Sequence, residues 1–198
     1  MSKRRRAKAR RRIWRAVIFL IAVIALFVSV LPKLHEKISY PVVYREWIEE
    51  FSNFYDLDPA LVAAIVHTES GYDTNATSSV GARGLMQVMP STAEWIHPKL
   101  DKPYAFDAEA LYTVDGSLTY GCWYLNFLMN RYGADTLSVI AAYHAGQGNV
   151  DSWRKETEFS HDGIHLDKIP ENARATRHYV EKVRRAYEYY QKVYETGI

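Results

Sequence analysis

The chain has 198 residues, 48% hydrophobic and 14% aromatic, enough for one compact domain of ordinary size plus an appendage. Its net charge of +2 hides an asymmetry, because residues 1–15 hold nine of the 25 Lys and Arg and no acid, which leaves 16 basic against 23 acidic groups beyond them. A single cysteine, Cys122, excludes an intrachain disulfide framework and a cysteine-based zinc site.

In chain order, a basic tail over 1–12 comes first. Next is AVIFLIAVIALFVSVLP, seventeen residues from Ala16 to Pro32 without a charge. With Ile13, Trp14 and a snorkelling Arg15 the stretch 13–32 reaches the ~30 Å needed to cross a bilayer as a helix. A basic run alone would suit nucleic acid. Joined to a membrane-length span, with an acidic remainder, it reads instead as a positive-inside anchor with a cytoplasmic N-terminus. A cleaved leader is the alternative, but the apolar core exceeds the usual ~7–15 residues and FVSVLPKLHEK offers no pair of small residues for a peptidase. Either way, the chain from about residue 33 lies outside the cytoplasmic membrane, as a linker over 33–41 and a domain over 42–198.

The first helix of that domain is expected from Val42 to Tyr55, with Val43, Trp47, Ile48, Phe51 and Phe54/Tyr55 as its apolar stripe. Asp58-Pro59 reads as an N-cap followed by proline at the first helical position, opening a helix to Ser70. GYDTNATSSVGARG is a polar loop. Pro90, Ser91 and Thr92 open a short helix, and DGSLTYGCWYLNFLMNRYG a longer one that stops at Gly133, with Cys122 as a small core residue. ADTLSVIAAYHAGQG is a helix that breaks at Gly146, and DSWRKETEFSHDGIHLDKIPENA is irregular. From about Glu171 a last helix carries Tyr179, Val183, Ala186/Tyr187, Tyr190 and Val193/Tyr194 at three- and four-residue spacing. Almost nothing alternates, so the domain is all-α.

Glu69 is the anomaly. Val62, Ile65 and Val66 lie seven, four and three residues before it, which stacks all four on one helix face. On that face, desolvation and the negative end of the helix dipole both push its pKa upward, as a general acid requires. The other reading, that the helix rolls and Glu69 points to water, fits the periodicity equally well.

Glu69-Ser70, Tyr72, Ala76, Ser78 and GARGLMQVMPSTA from Gly81 are followed in order by YGCWYLNFL, AAYHAG and ATRHYVEKV. These blocks, spanning about residues 44–194, resemble the soluble lytic transglycosylase family of peptidoglycan-cleaving enzymes. The resemblance implies a lysozyme-like (goose-type) helical fold, a cleft for glycan strands, and Glu69 as the single catalytic acid and base. It also implies that Ser78 and Tyr143 orient the acid, that Gln87, Met89, His144 and Tyr179 meet the substrate, and that no metal or cofactor is needed. The expected partners are glycan strands and, through the N-terminal helix, the membrane; cell-wall or secretion-machinery proteins are further partners the sequence does not single out. Cleavage in this family closes the C6 hydroxyl of N-acetylmuramic acid onto its own C1 and leaves a 1,6-anhydro end; the alternatives are a muramidase-type hydrolase on the same fold and a non-catalytic peptidoglycan-binding module. Three positions depart from the family pattern: His144 stands for Asn, Ala175 for a Glu that Glu171 could replace from one helical turn earlier, and Ser117 for Asn.

Gly81 and Gly84 are expected to let backbone approach a sugar, and Gln87 to offer donor and acceptor. Met86 reads as core packing, whereas for Met89 packing and cleft lining stand level. Asp73, the nearest second carboxylate, reads as a turn residue. His161 and His165 read as solvated loop histidines without a third ligand, and His67 as a partly buried cap residue, with a place in the cleft wall as its other reading. The Asn75 glycosylation-like triplet is of a length that recurs by chance.

Overall fold

A computed structural model describes residues 3–133 and 135–196. They form two compact units, one ending at Pro41 and one beginning at Val42. The first is a single helix, α1 (Lys3–Ser39). Its segment Trp14–Leu31 is long and apolar enough to cross a membrane, and none of it is buried. The helix does not stop where the linker was expected. Pro32 deletes one backbone donor, yet the turns continue to Ser39.

The second unit holds α2 (Arg45–Phe54), α3 (Pro59–Ser70), α4 (Pro90–Ile96), α5 (Val114–Tyr132), α6 (Thr136–Ala145), α7 (Gln147–Arg154) and α8 (Arg174–Thr196), with two short 3-10 turns, His97–Lys99 and Ala108–Tyr112. Among the described residues there is no strand, only the isolated bridges Thr77–Arg83 and Arg83–Val88 in the loop after α3. The all-α expectation is met.

α3 is the central helix. Asp58 caps it, its Oδ1 accepting from the Ala60 N–H at 2.8 Å, Pro59 supplies the first turn, and Gly71 at φ +60° ends it. Every residue from Ala60 to Val66 is buried. Such all-round burial needs neighbours on several sides, and α8 and α2 provide them. The α8 stripe Tyr179, Val183, Ala186, Tyr190 and Val193 faces inward as its spacing predicts. Tyr187, on the flank, donates to Asp58 Oδ2 at 2.6 Å and ties α8 to the cap of α3.

Two expected boundaries and faces shift. α2 buries Ile48 and Ser52, while Trp47 is 42% and Phe54 79% exposed. A small serine suits the place where a helix crosses close to its neighbours, and apolar periodicity overlooks it. α8 starts at Arg174, so Glu171 lies in a turn outside it, its carbonyl accepting from the Arg177 guanidinium at 3.1 Å. The irregular tract before α8 is pinned by Asp135, the buried N-cap of α6, whose carboxylate accepts from the Ser138 and Leu166 N–H groups.

Candidate active site

Glu69 occupies the last turn of α3, one residue before the end of the buried run's own helix. Val62, Ile65 and Val66 behind it are wholly buried, and the carboxyl itself is partly covered. The helix does not roll outward. Loss of solvation raises the Glu69 pKa to about 7, against which a hydrogen bond from Tyr179 acts downward. That bond, from the phenol of α8 to Glu69 Oε1, is 2.7 Å long. A carboxyl poised this close to neutrality can both give and take a proton.

The hydroxyls expected to orient the acid are engaged elsewhere. Ser78 Oγ accepts from the Ala82 N–H at 3.0 Å in its own tight loop and makes no hydrogen bond to Glu69. Tyr143 donates to the Met86 carbonyl at 3.0 Å; burial, with the Glu69 charge added to it, raises its pKa, and it does not bond to the carboxyl. Tyr179, expected to meet substrate, is the residue that holds the acid. The reason lies in packing: α8 runs along α3, so a tyrosine on its inner stripe arrives at the end of α3.

Around the acid, the loop is built tightly. Ser70 Oγ donates to the Leu85 carbonyl at 2.9 Å, joining the end of α3 to GLMQ. Ser117 Oγ accepts from the Met86 N–H at 3.0 Å. Gly84, at φ +71°, packs so closely that a Cβ there would stand 1.8 Å from the Leu111 carbonyl oxygen. Its close approach is therefore to the protein's own backbone, not to a sugar. Gln87 adopts φ +48° and spends its amide N–H groups on the Ala76 and Gly84 carbonyls, at 3.1 and 3.0 Å, leaving its side-chain oxygen as an acceptor for a ligand. Met89 is 36% exposed beside it, whereas Met86 is buried against Gly121 and Cys122. His144 packs at a tilt against Tyr179, with ring centroids 4.6 Å apart, and its Nδ1 lies 3.1 Å from Thr176 Oγ1.

A family model described as "Transglycosylase SLT domain" matches residues 46–165. The chain belongs to the SLT transglycosylase domain family. The soluble lytic murein transglycosylase of Salmonella typhimurium is 28% identical over 150 residues, covering 75% of this chain and 23% of that one. The membrane-bound lytic murein transglycosylase C of Edwardsiella ictaluri is 32% identical over 123 residues, 54% of this chain and 32% of that one. Among solved structures, the 70 kDa soluble lytic transglycosylase of Escherichia coli superimposes with a TM-score of 0.70 at 26% identity, over 82% of this chain and 26% of that one. The fold is thus the lysozyme-like one of that enzyme. The chain spans only about a quarter of the length of the Salmonella protein.

In this SLT domain the other chemistry-bearing residues have local duties. Asp73 Oδ1 accepts from the Asn75 N–H at 2.9 Å, a turn bond of the kind its sequence suggests. His161 pairs with Asp167, and His165 with Asp162, within the exposed tract before α8. Among the described residues no group of three or more His, Cys, Asp or Glu could hold a metal ion. His67 packs near Tyr72 and Tyr190, and burial lowers its pKa. The matched segment ends before α8, so Thr176 and Tyr179 lie outside it.

Proposed function

We propose that this chain is a lytic transglycosylase of peptidoglycan, with Glu69 as its one acid and base. The observation that carries the reading is a partly covered carboxyl with a pKa of about 7, held by a single phenol, while the nearest carboxylate in sequence, Asp73, is exposed and bound to its own turn. A glycosidase with two working carboxylates has to set both across the bond. One carboxyl suffices if the substrate supplies its own nucleophile.

Protonated Glu69 gives its proton to the oxygen joining C1 of N-acetylmuramic acid to N-acetylglucosamine, and the C1–O bond breaks. Positive charge at C1 is relieved by the sugar's own acetamido oxygen. Glu69, now ionised, takes the proton from the C6 hydroxyl as that oxygen bonds to C1. The acid is restored, no water is consumed, and a 1,6-anhydro end remains. An intramolecular nucleophile gains from very high effective concentration. In this reading Gln87, Met89 and His144 serve as ligand contacts.

α1 serves as the membrane anchor in this reading. The nine Lys and Arg within residues 1–15 keep the N-terminus cytoplasmic and place the catalytic unit toward the wall. Protease added outside intact cells should digest the folded unit and spare the tail.

The deciding experiment is mass analysis of sacculi digested with the full chain. Transglycosylation yields ends one water lighter than reducing ends. Reducing ends alone would make the chain a hydrolase, and equal turbidity loss by Glu69→Gln would remove Glu69 from the chemistry.

A further inference from the structure

We propose that His144 is a positioning residue for the acid: its imidazole, packed against Tyr179 and tied to Thr176, fixes the phenol that donates to Glu69. The inference rests on Glu69 being the acid. His144 lies in the last turn of α6, which ends at Ala145 before the break at Gly146, where a side chain can project over the neighbouring helix. Its ring lies 31° from parallel with the Tyr179 ring at 4.6 Å between centroids, within the range where offset aromatic pairs attract. Its Nδ1 is 3.1 Å from Thr176 Oγ1, and Thr176 is 5% exposed. Thr176 and Tyr179 are three residues apart on α8, hence on one face. The imidazole thus grips that face at two points, one hydrogen bond and one ring contact. A phenol turns as a lever about its Cβ, so cover on one ring face limits where its hydroxyl lies. An asparagine at 144 could bond to Thr176 but could not stack.

The titratable groups facing this assembly are Glu69 from α3, Tyr143 from α6 and Tyr179 from α8, with Cys122 and Tyr124 of α5 reached through Tyr143. His144 itself has its pKa lowered by burial, so its ring is neutral near pH 7. It acts by shape and hydrogen bonding, not by charge.

The test uses the full chain with 13C-labelled glutamate, the Glu69 signal being assigned by its loss in Glu69→Gln. The Tyr179 bond favours the anion, so Tyr179→Phe should move the Glu69 midpoint upward by ~1–2 pH units. His144→Ala should move it in the same direction by roughly half a unit, and His144→Phe, which keeps a ring against Tyr179 but loses the Thr176 bond, should restore part of it. His144→Ala added to Tyr179→Phe should change nothing further. His144→Asn, a milder change should alanine fail to fold, keeps a partner for Thr176 but no ring and should raise the midpoint by less than alanine does. Identical midpoints for wild type and His144→Ala, or an additive double variant, would overturn the inference. A chain that titrates as expected but cuts no peptidoglycan would instead overturn the proposed function, because the titration needs no turnover.

Discussion

Replacing Glu69 with glutamine should stabilise the fold, and only at the higher end of the pH range. The carboxyl is covered by α8 and carries a pKa of about 7 in place of 4.5. Because the folded state holds this proton more tightly than the unfolded chain does, stability is full below pH 4.5. It falls as pH rises toward about 7 and is flat beyond. A shift of that size at ~1.4 kcal/mol per unit gives an upper limit of ~3 kcal/mol, and partial exposure to water brings the expectation nearer ~2 kcal/mol. Glutamine keeps the shape and cannot ionise. Denaturant unfolding of the full chain in mild detergent, followed by near-ultraviolet circular dichroism, should give similar curves for both proteins near pH 4. Near pH 8, Glu69→Gln should be the more stable. Every other titrating group is common to both chains and cancels in the difference. A difference that does not vary with pH would mean that the carboxyl ionises as freely in the fold as outside it.

Gly84→Ala should lower the melting temperature by several degrees and abolish turnover, since left-handed backbone costs an alanine ~1–2 kcal/mol and its Cβ would strike the Leu111 carbonyl. Ser117→Ala strips the Met86 N–H of its acceptor, an expected loss of ~1–3 kcal/mol in denaturant unfolding. Asp58→Ala removes both the cap of α3 and the partner of Tyr187, and should cost ~1–2 kcal/mol by the same measurement. The Cys122 thiol is fully buried and its pKa is raised, so a thiol reagent should label it only after unfolding.

What could be read from residues alone was whatever local chemistry decides. Asp58-Pro59 and Gly71 mark the ends of α3 because a cap, a fixed φ and a left-handed turn act within a few residues. The α8 stripe is legible because one face meets one neighbour along its whole length. α2 misleads because Ser52 takes a core position that an apolar stripe assigns to Trp47 or Phe54. The acid's partner was beyond reach for a related reason. Ser78, Tyr143 and Tyr179 all carry a hydroxyl in a motif block, and only the approach of α8 to α3 determines which one touches the carboxyl.

That same approach joins two departures that look unrelated along the chain. Position 144 holds histidine where the family pattern has asparagine, and position 175 holds alanine where it has glutamate. In the fold His144 bonds to Thr176, the residue next to Ala175, and the same ring covers Tyr179 one turn further on. Ala175 is exposed, and Glu171 lies outside α8, so it does not sit one helical turn before position 175. The site therefore keeps Tyr179 in place with a neutral ring that is itself held by the Thr176 hydroxyl. Adding a carboxylate back at position 175 should separate the roles: Ala175→Glu in the His144 chain brings a charge near an acid that works by staying protonated, and like charges favour the protonated form. The Glu69 midpoint should then rise, and its failure to move would mean that position 175 lies too far from the acid to share its electrostatics.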